Sequence, residues 1–223
     1  MKTDSFPLNG FKHDPLPEHP MEHLKKLGEV CQMDVRQGFF TIMDPKHPGI
    51  FRKRGLEDFH HAAESIRLHA GVPESIRDHF QTARNLIIYS WFYYPFNISA
   101  QLSAYTSVEF ALRTKTNDRK TKFAVLLKRA VDNGWISDRG VSIARRRKQA
   151  IRRMNQGMPP DFQTPEPPMV REYSDTLAKV IPSLRNSLAH GTTMLHEQGA
   201  LHVRICAELI NQLFSSPSNA GHV

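Results

Sequence analysis

The sequence predicts an all-α protein, a helical bundle with an N-terminal extension. Beyond residue 73, apolar residues recur at intervals of three and four, as they do on one face of a helix. Glycine and proline stand where these helices would end, and no alternation of strands and helices indicates a parallel sheet. A chain of 223 residues is long enough to bury a core without disulfide bonds or a structural metal.

The composition favours an anionic partner and argues against a membrane protein. There are 30 Lys and Arg residues against 22 Asp and Glu, a net charge of +8 that suits RNA, DNA or an acidic protein. The longest apolar run, residues 86–96, is much shorter than the roughly 20 residues that cross a bilayer. The N-terminus lacks the apolar region of a signal peptide. Cys31 and Cys206 cannot form a disulfide framework, so we expect a reducing, cytoplasmic location.

Residues 1–72 are predicted to form a partly irregular extension. Four prolines in residues 1–20 favour an extended arm, and residues 21–27 have a short helical pattern. Residues 38–51 have the composition of a small hairpin. Helical spacing of apolar residues then runs from Leu56 to Ala70, with Gly71 as the predicted stop.

Residues 73–215 are predicted to form the bundle. A long helix lies between Pro73 and Pro95, and a second begins with Asn97 as its N-cap and carries one apolar stripe. A third helix ends at Gly134. The remaining predicted parts are a basic helix over 138–154, a Pro-rich insertion over 155–169, a helix from Val170 kinked near Pro182 and stopped by Gly191, a last helix over 203–214 and a frayed tail over 216–223.

The stretch LRNSLAHG, residues 184–191, is the strongest functional signal. Helical spacing places Arg185 at the border of an apolar stripe and His190 on the last turn, beside Gly191. A guanidinium group can hold phosphate oxygens and an imidazole can move a proton, so the pair suits a phosphodiester substrate. The 2′-hydroxyl of RNA can itself attack, so this chemistry needs no metal. The alternative is a structural role, in which both side chains cap the helix and form a surface pair.

Residues 185–191, RNSLAHG, resemble the R-N-x-x-x-H motif of the HEPN domains (higher eukaryotes and prokaryotes nucleotide-binding). The resemblance extends over residues 73–215, where two long helices and a shorter one precede the motif helix and an amphipathic helix follows it. It implies a HEPN-like bundle and a metal-independent endoribonuclease without a cofactor. It also implies a homodimer whose two motifs meet at an RNA-binding interface.

The resemblance assigns a role to each motif residue. Arg185 would bind the scissile phosphate, His190 would act as general acid and base, and Asn186 would orient the pair or contact RNA. Such proteins serve in toxin–antitoxin or defence modules, which implies an antitoxin or another protein partner. Other members bind RNA, nucleotides or proteins without cleaving RNA, and this is the alternative function.

Glu109 and two basic segments are further candidates. The carboxylate of Glu109, in an apolar stripe, could orient Arg185 or His190 across the bundle. It could instead be a core carboxylate satisfied by any Arg or Tyr hydroxyl, or it could lie at a helix end that is less buried than the stripe suggests. Residues 139–153 hold seven basic residues and no acid, and residues 113–129 hold seven with Asp118 as the one acid. Such segments can neutralise RNA phosphates or simply form solvated helix faces. The residues predicted to bind RNA are Arg145, Arg146, Arg147, Lys148, Arg152 and Arg153. The histidines lack the spacing of metal ligands, so no metal site is predicted.

Overall fold

The computed structural model describes residues 24–167, 171–191 and 198–215, and it confirms the all-α class. The described residues form seven α-helices, four short 3₁₀ helices and one two-stranded antiparallel sheet. The predicted arm at 1–20 and the predicted tail at 216–223 lie outside the described residues. The described residues divide into two compact units, the first ending at Gln32 and the second beginning at Met33. The described part of the first unit contains a single 3₁₀ turn, Leu27–Glu29.

The second unit begins with a 3₁₀ helix, Val35–Phe39, and a hairpin. Strand β1, Thr41–Met43, pairs antiparallel with β2, Phe51–Lys53, so the predicted hairpin is confirmed. Helix α1 follows at Leu56–Glu64. Residues 33–72, which the sequence assigns to the extension, therefore lie in the same compact unit as the bundle.

Asp34 joins this N-terminal part to the turn between the first two bundle helices. Its carboxylate accepts hydrogen bonds from the Tyr94 N–H at 2.8 Å and from the Arg36 side chain at 2.7 Å. Burial opposes ionisation of Asp34, but the bonds from Arg36 and Tyr94 outweigh it and hold the pKa of the carboxyl below its usual value. Gln37 adds a second link, because its Nε2 donates to the Ser90 carbonyl at 2.8 Å.

The remaining helices are α2 Glu74–Tyr89, α3 Phe96–Thr116, α4 Phe123–Asp132, α5 Ser142–Asn155, α6 Glu172–Ala189 and α7 Gly199–Phe214. Four of them, α2, α4, α6 and α7, pack around α3. Helix α3 packs most extensively against α2 and α7, and it also contacts α4 and α6. Gly134 and Gly191 follow α4 and α6 with φ of +69° and +87°, so both predicted glycine stops are confirmed. Helix α6 runs through Pro182, which is buried.

Two predictions for α3 are wrong. The helix has no single apolar stripe, because it is surrounded by other helices and buries small residues on more than one side, among them Ala100, Ala104, Ser107 and Ala111. Asn97 is not the N-cap, since α3 starts at Phe96 after Pro95. Asn97 instead lies buried in the first turn, where its Nδ2 donates to the Tyr94 carbonyl at 3.1 Å.

The end of α1 also differs from the prediction. The helix ends at Glu64 rather than near Gly71, although the apolar spacing continues. Residues beyond it are held by α7 instead: Asn211 Oδ1 accepts from the His69 N–H, and Asn211 Nδ2 donates to the Arg67 carbonyl, both at 3.0 Å. These tertiary bonds replace the helical ones that the periodicity favours.

The start of α6 depends on a buried aspartate distant in sequence. Asp138 is 3% exposed and accepts hydrogen bonds from the N–H groups of Tyr173 and Ser174 and from the Ser174 hydroxyl. A helix start leaves several N–H groups without intrahelical partners, and Asp138 satisfies two of them. It thereby fixes the N-terminus of the helix that carries Arg185.

Candidate functional site

Glu109 on α3 holds two arginines, one of which belongs to the RNSLAHG motif. Its Oε2 lies 3.1 Å from Nη2 of Arg185 on α6, and its Oε1 lies 2.7 Å from Nη2 of Arg113 one turn along α3. The Glu109 side chain is only 14% exposed. One carboxylate thus fixes Arg185 against the central helix and shares its charge with Arg113.

The Arg185 guanidinium retains free donor capacity. Its Nε is buried and, within the described part of the chain, has no hydrogen-bond partner. Its Nη1 lies 3.4 Å from Oδ1 of the neighbouring Asn186, a long contact, and the side chain is 33% exposed.

Arg185 lies in the wall of a small cationic pocket. The pocket has a volume of about 330 Å³, near the lower end of the range for small-ligand sites. It is lined by Glu109, Arg113, Lys120, Thr121, Lys122, Phe123, Ala124, Pro182, Arg185 and Asn186. Four of these side chains are cationic and one is anionic, so the pocket attracts negatively charged groups such as phosphate.

The segment between α3 and α4 forms one side of this pocket. It turns at Asn117, whose φ is +51°, and Asp118 Oδ1 then accepts from the N–H groups of Lys120 at 3.1 Å and Thr121 at 3.0 Å. The Thr121 bonds and the charge of Arg129 lower the pKa of Asp118 to about 2, so the carboxylate stays ionised at neutral pH. These bonds fix the backbone that carries Lys120 and Lys122.

His190 lies outside the pocket. It is the C-cap residue of α6, its side chain is exposed, and its N–H donates to the Asn186 carbonyl at 3.0 Å. The structure therefore brings Arg185, Asn186 and Glu109 together but does not place His190 of the same chain among the pocket residues.

The predicted RNA-binding residues of α5 form a separate surface. Arg145, Arg146, Arg147, Arg152 and Arg153 are exposed, and none lines the pocket. Glu166, in the Pro-rich segment, lies 2.9 Å from Arg152 Nε and 3.5 Å from Lys148 Nζ, and Arg145 donates to the Arg139 carbonyl. The lysines beside Arg185 come from the other basic segment, residues 113–129. The sequence does not predict that these lysines lie near Arg185, because this proximity depends on the packing of α6 against α3 and α4.

The fold and the pocket define an all-α bundle protein with a cationic site where α6 meets α3 and the start of α4. No family model, curated protein or solved structure matches the chain. In residues 24–167, 171–191 and 198–215, no helix combines the length and apolar character needed to cross a membrane. Within the same ranges, no three His, Cys, Asp or Glu side chains come together as metal ligands would.

Proposed function

We propose that the protein is a cytoplasmic, metal-independent endoribonuclease of the HEPN type, acting as a homodimer in a defence or toxin–antitoxin module. The observation that carries the proposal is that Glu109 holds Arg185, the first residue of the motif, in a cationic pocket. A structural charge pair at a helix end would not require a partly buried acid on the central helix or two lysines in the same pocket. A toxin of this kind implies a neutralising protein partner.

The proposed reaction uses the 2′-hydroxyl of RNA as the nucleophile. His190 takes the proton from this hydroxyl and, as imidazolium, gives it to the leaving 5′-oxygen, and Arg185 stabilises negative charge on the phosphate oxygens. The bond from O2′ to phosphorus forms as the bond from phosphorus to O5′ breaks. The products are a 2′,3′-cyclic phosphate and a 5′-hydroxyl end. Since His190 lies outside the pocket of its own chain, His190 of a second copy would complete the site.

The test is cleavage of single-stranded RNA in EDTA by the purified protein. We expect cleavage that leaves 5′-hydroxyl ends, with no cleavage of RNA that carries 2′-O-methyl groups. His190→Ala should lower the rate by about 100-fold or more, the usual contribution of a general acid or base. His60→Ala is the matched control, since His60 is exposed on α1. Cleavage by the His190→Ala variant at the wild-type rate, or cleavage only with Mg²⁺, would contradict the proposal.

A second candidate is a non-catalytic HEPN-like module that binds RNA, a nucleotide or a protein. The position of His190 outside the pocket favours it, because binding needs only Arg185 and the neighbouring cations. This candidate predicts that the wild-type protein binds RNA without cleaving it and that His190→Ala binds equally well. A monomer in solution, measured by light scattering, would also favour it over the composite site of a dimer.

A further inference from the structure

We infer that Lys120 and Lys122 form a subsite for the RNA phosphate next to the one that Arg185 holds. The pocket would then bind single-stranded RNA through two consecutive phosphates. This inference rests on the proposed function for the identity of the ligand, and it assigns the binding of the neighbouring phosphate to a segment outside the RNSLAHG motif.

The first argument is the distribution of unpaired positive charge. Arg113 forms an ion pair with Glu109, and Arg129 lies 3.6 Å from the Asp118 carboxylate. Lys120 and Lys122 are exposed, and within the described residues neither makes an ion pair. The uncompensated charge of the pocket wall therefore lies on these two lysines and, in part, on Arg185.

The second argument is that the segment holding the lysines is already ordered. Asp118 accepts from the backbone at Lys120 and Thr121, and its own carbonyl accepts from Arg113 Nη1 at 3.3 Å. Arg113 is in turn bonded to Glu109, which also holds Arg185. The two groups of cations are thus connected by one chain of bonds, so less backbone freedom is lost when a ligand bridges them.

The third argument concerns the shape of the ligand. The pocket is concave and small, about 330 Å³, and four of its lining side chains are cationic. Consecutive phosphates of a flexible single strand can turn into such a pocket, whereas those of a duplex lie along a rigid outer surface. The chemistry recognised is the phosphodiester backbone, so the subsite adds affinity without reading sequence.

The experiment measures the affinity of a fluorescent 2′-O-methyl oligouridylate by anisotropy over a range of salt concentrations. This probe cannot be cleaved by the proposed reaction, so binding is measured separately from catalysis. The Lys120→Gln/Lys122→Gln variant should bind more weakly. The slope of log affinity against log salt should fall in magnitude by about 0.7, the value for one single-strand phosphate contact. Lys46→Gln/Lys53→Gln, outside the pocket, removes the same charge and should keep the wild-type slope.

The outcomes separate this inference from the proposed function. An unchanged slope for Lys120→Gln/Lys122→Gln overturns the inference, and cleavage in EDTA that depends on His190 would still support the function. An equal loss of slope in the Lys46→Gln/Lys53→Gln control also overturns it, because the effect would then reflect net charge alone. A reduced slope confined to the pocket variant supports the subsite even if the wild-type protein never cleaves RNA.

Discussion

Replacing Glu109 by glutamine tests the centre of the site. The change keeps the size of the side chain but removes the charge that Arg185 and Arg113 share at 3.1 and 2.7 Å. Breaking a fully buried ion pair costs about 3–5 kcal/mol, whereas an exposed pair contributes at most about 1 kcal/mol. Glu109 is 14% exposed and its arginine partners 26% and 33%, so we expect an intermediate loss of about 2 kcal/mol.

The assay is thermal unfolding followed by circular dichroism. For a chain of this size, a loss of about 2 kcal/mol corresponds to a fall in Tm of about 4–8 °C. Glu64→Gln is the matched control, because it breaks an exposed pair with Arg67 and should change stability by less than about 0.5 kcal/mol. A double-mutant cycle with Arg185→Met should show a coupling energy of about 1 kcal/mol or more between Glu109 and Arg185.

Measurements of RNA binding and cleavage separate the effect of Glu109 on the position of Arg185 from its effect on the stability of the protein. Glu109→Gln removes the one negative charge of the pocket, so affinity for the uncleavable oligouridylate should rise. Under the proposed function kcat should fall in the same variant, because Arg185 loses the group that orients it. A Tm within about 1 °C of wild type together with zero coupling to Arg185 would refute the reasoning, since Glu109 would then not hold the arginine.

Three further predictions concern the framework. Asp138→Ala should lower the free energy of unfolding in urea by about 2–3 kcal/mol, because it leaves buried donors of Ser174 and the helix start unsatisfied. Asp138→Asn should cost less. Equal and negligible losses in the two variants would disprove the capping role. Asp34 has a lowered pKa, so its stabilising effect is complete above its ordinary value of 3.8 and is lost as the pH falls below it. The stability difference between wild type and Asp34→Asn should therefore shrink from pH 6 to about pH 2, and a constant difference would contradict this. Gly199→Ala should lower Tm, because the new Cβ would lie 2.5 Å from Asn97 Oδ1 and 3.2 Å from its Cα, and an unchanged Tm would show that α3 and α7 can separate at no cost.

The elements that could be predicted are those whose signals are local. Gly134 and Gly191 end their helices as expected because a left-handed backbone position depends on the residue itself. The prediction of a single apolar stripe on α3 is wrong because alanine and serine contribute little to a hydrophobic pattern, yet these small residues fit between closely packed helices. The prediction of Asn97 as the N-cap is wrong because the helix begins directly after Pro95. The preference for asparagine at N-caps does not indicate that start.

The candidate site could be predicted only in part, because the sequence carries local signals and not the contacts between distant helices. Arg185 and Asn186 are adjacent in sequence, and Glu109 was recognisable as a carboxylate among apolar residues. The ion pairs of Glu109 with Arg185 and Arg113 fit an orienting role and equally fit a core carboxylate satisfied by arginines, so the role of Glu109 in orienting Arg185 stays a prediction. The composition marks residues 113–129 as a basic segment but does not single out Lys120 and Lys122, because their nearness to Arg185 arises from the packing of α6 and has no signature in sequence spacing.

The division of the pocket between a helix and a connecting segment has a consequence for how the protein can evolve. Glu109 belongs to α3, whose alanines are fully enclosed by other helices, so few substitutions near it leave the bundle intact. Lys120 and Lys122 lie between helices with exposed side chains, where replacement disturbs no packing. Selection can therefore change the charge of this part of the pocket through this segment alone, while the position of Arg185 depends on the packed core.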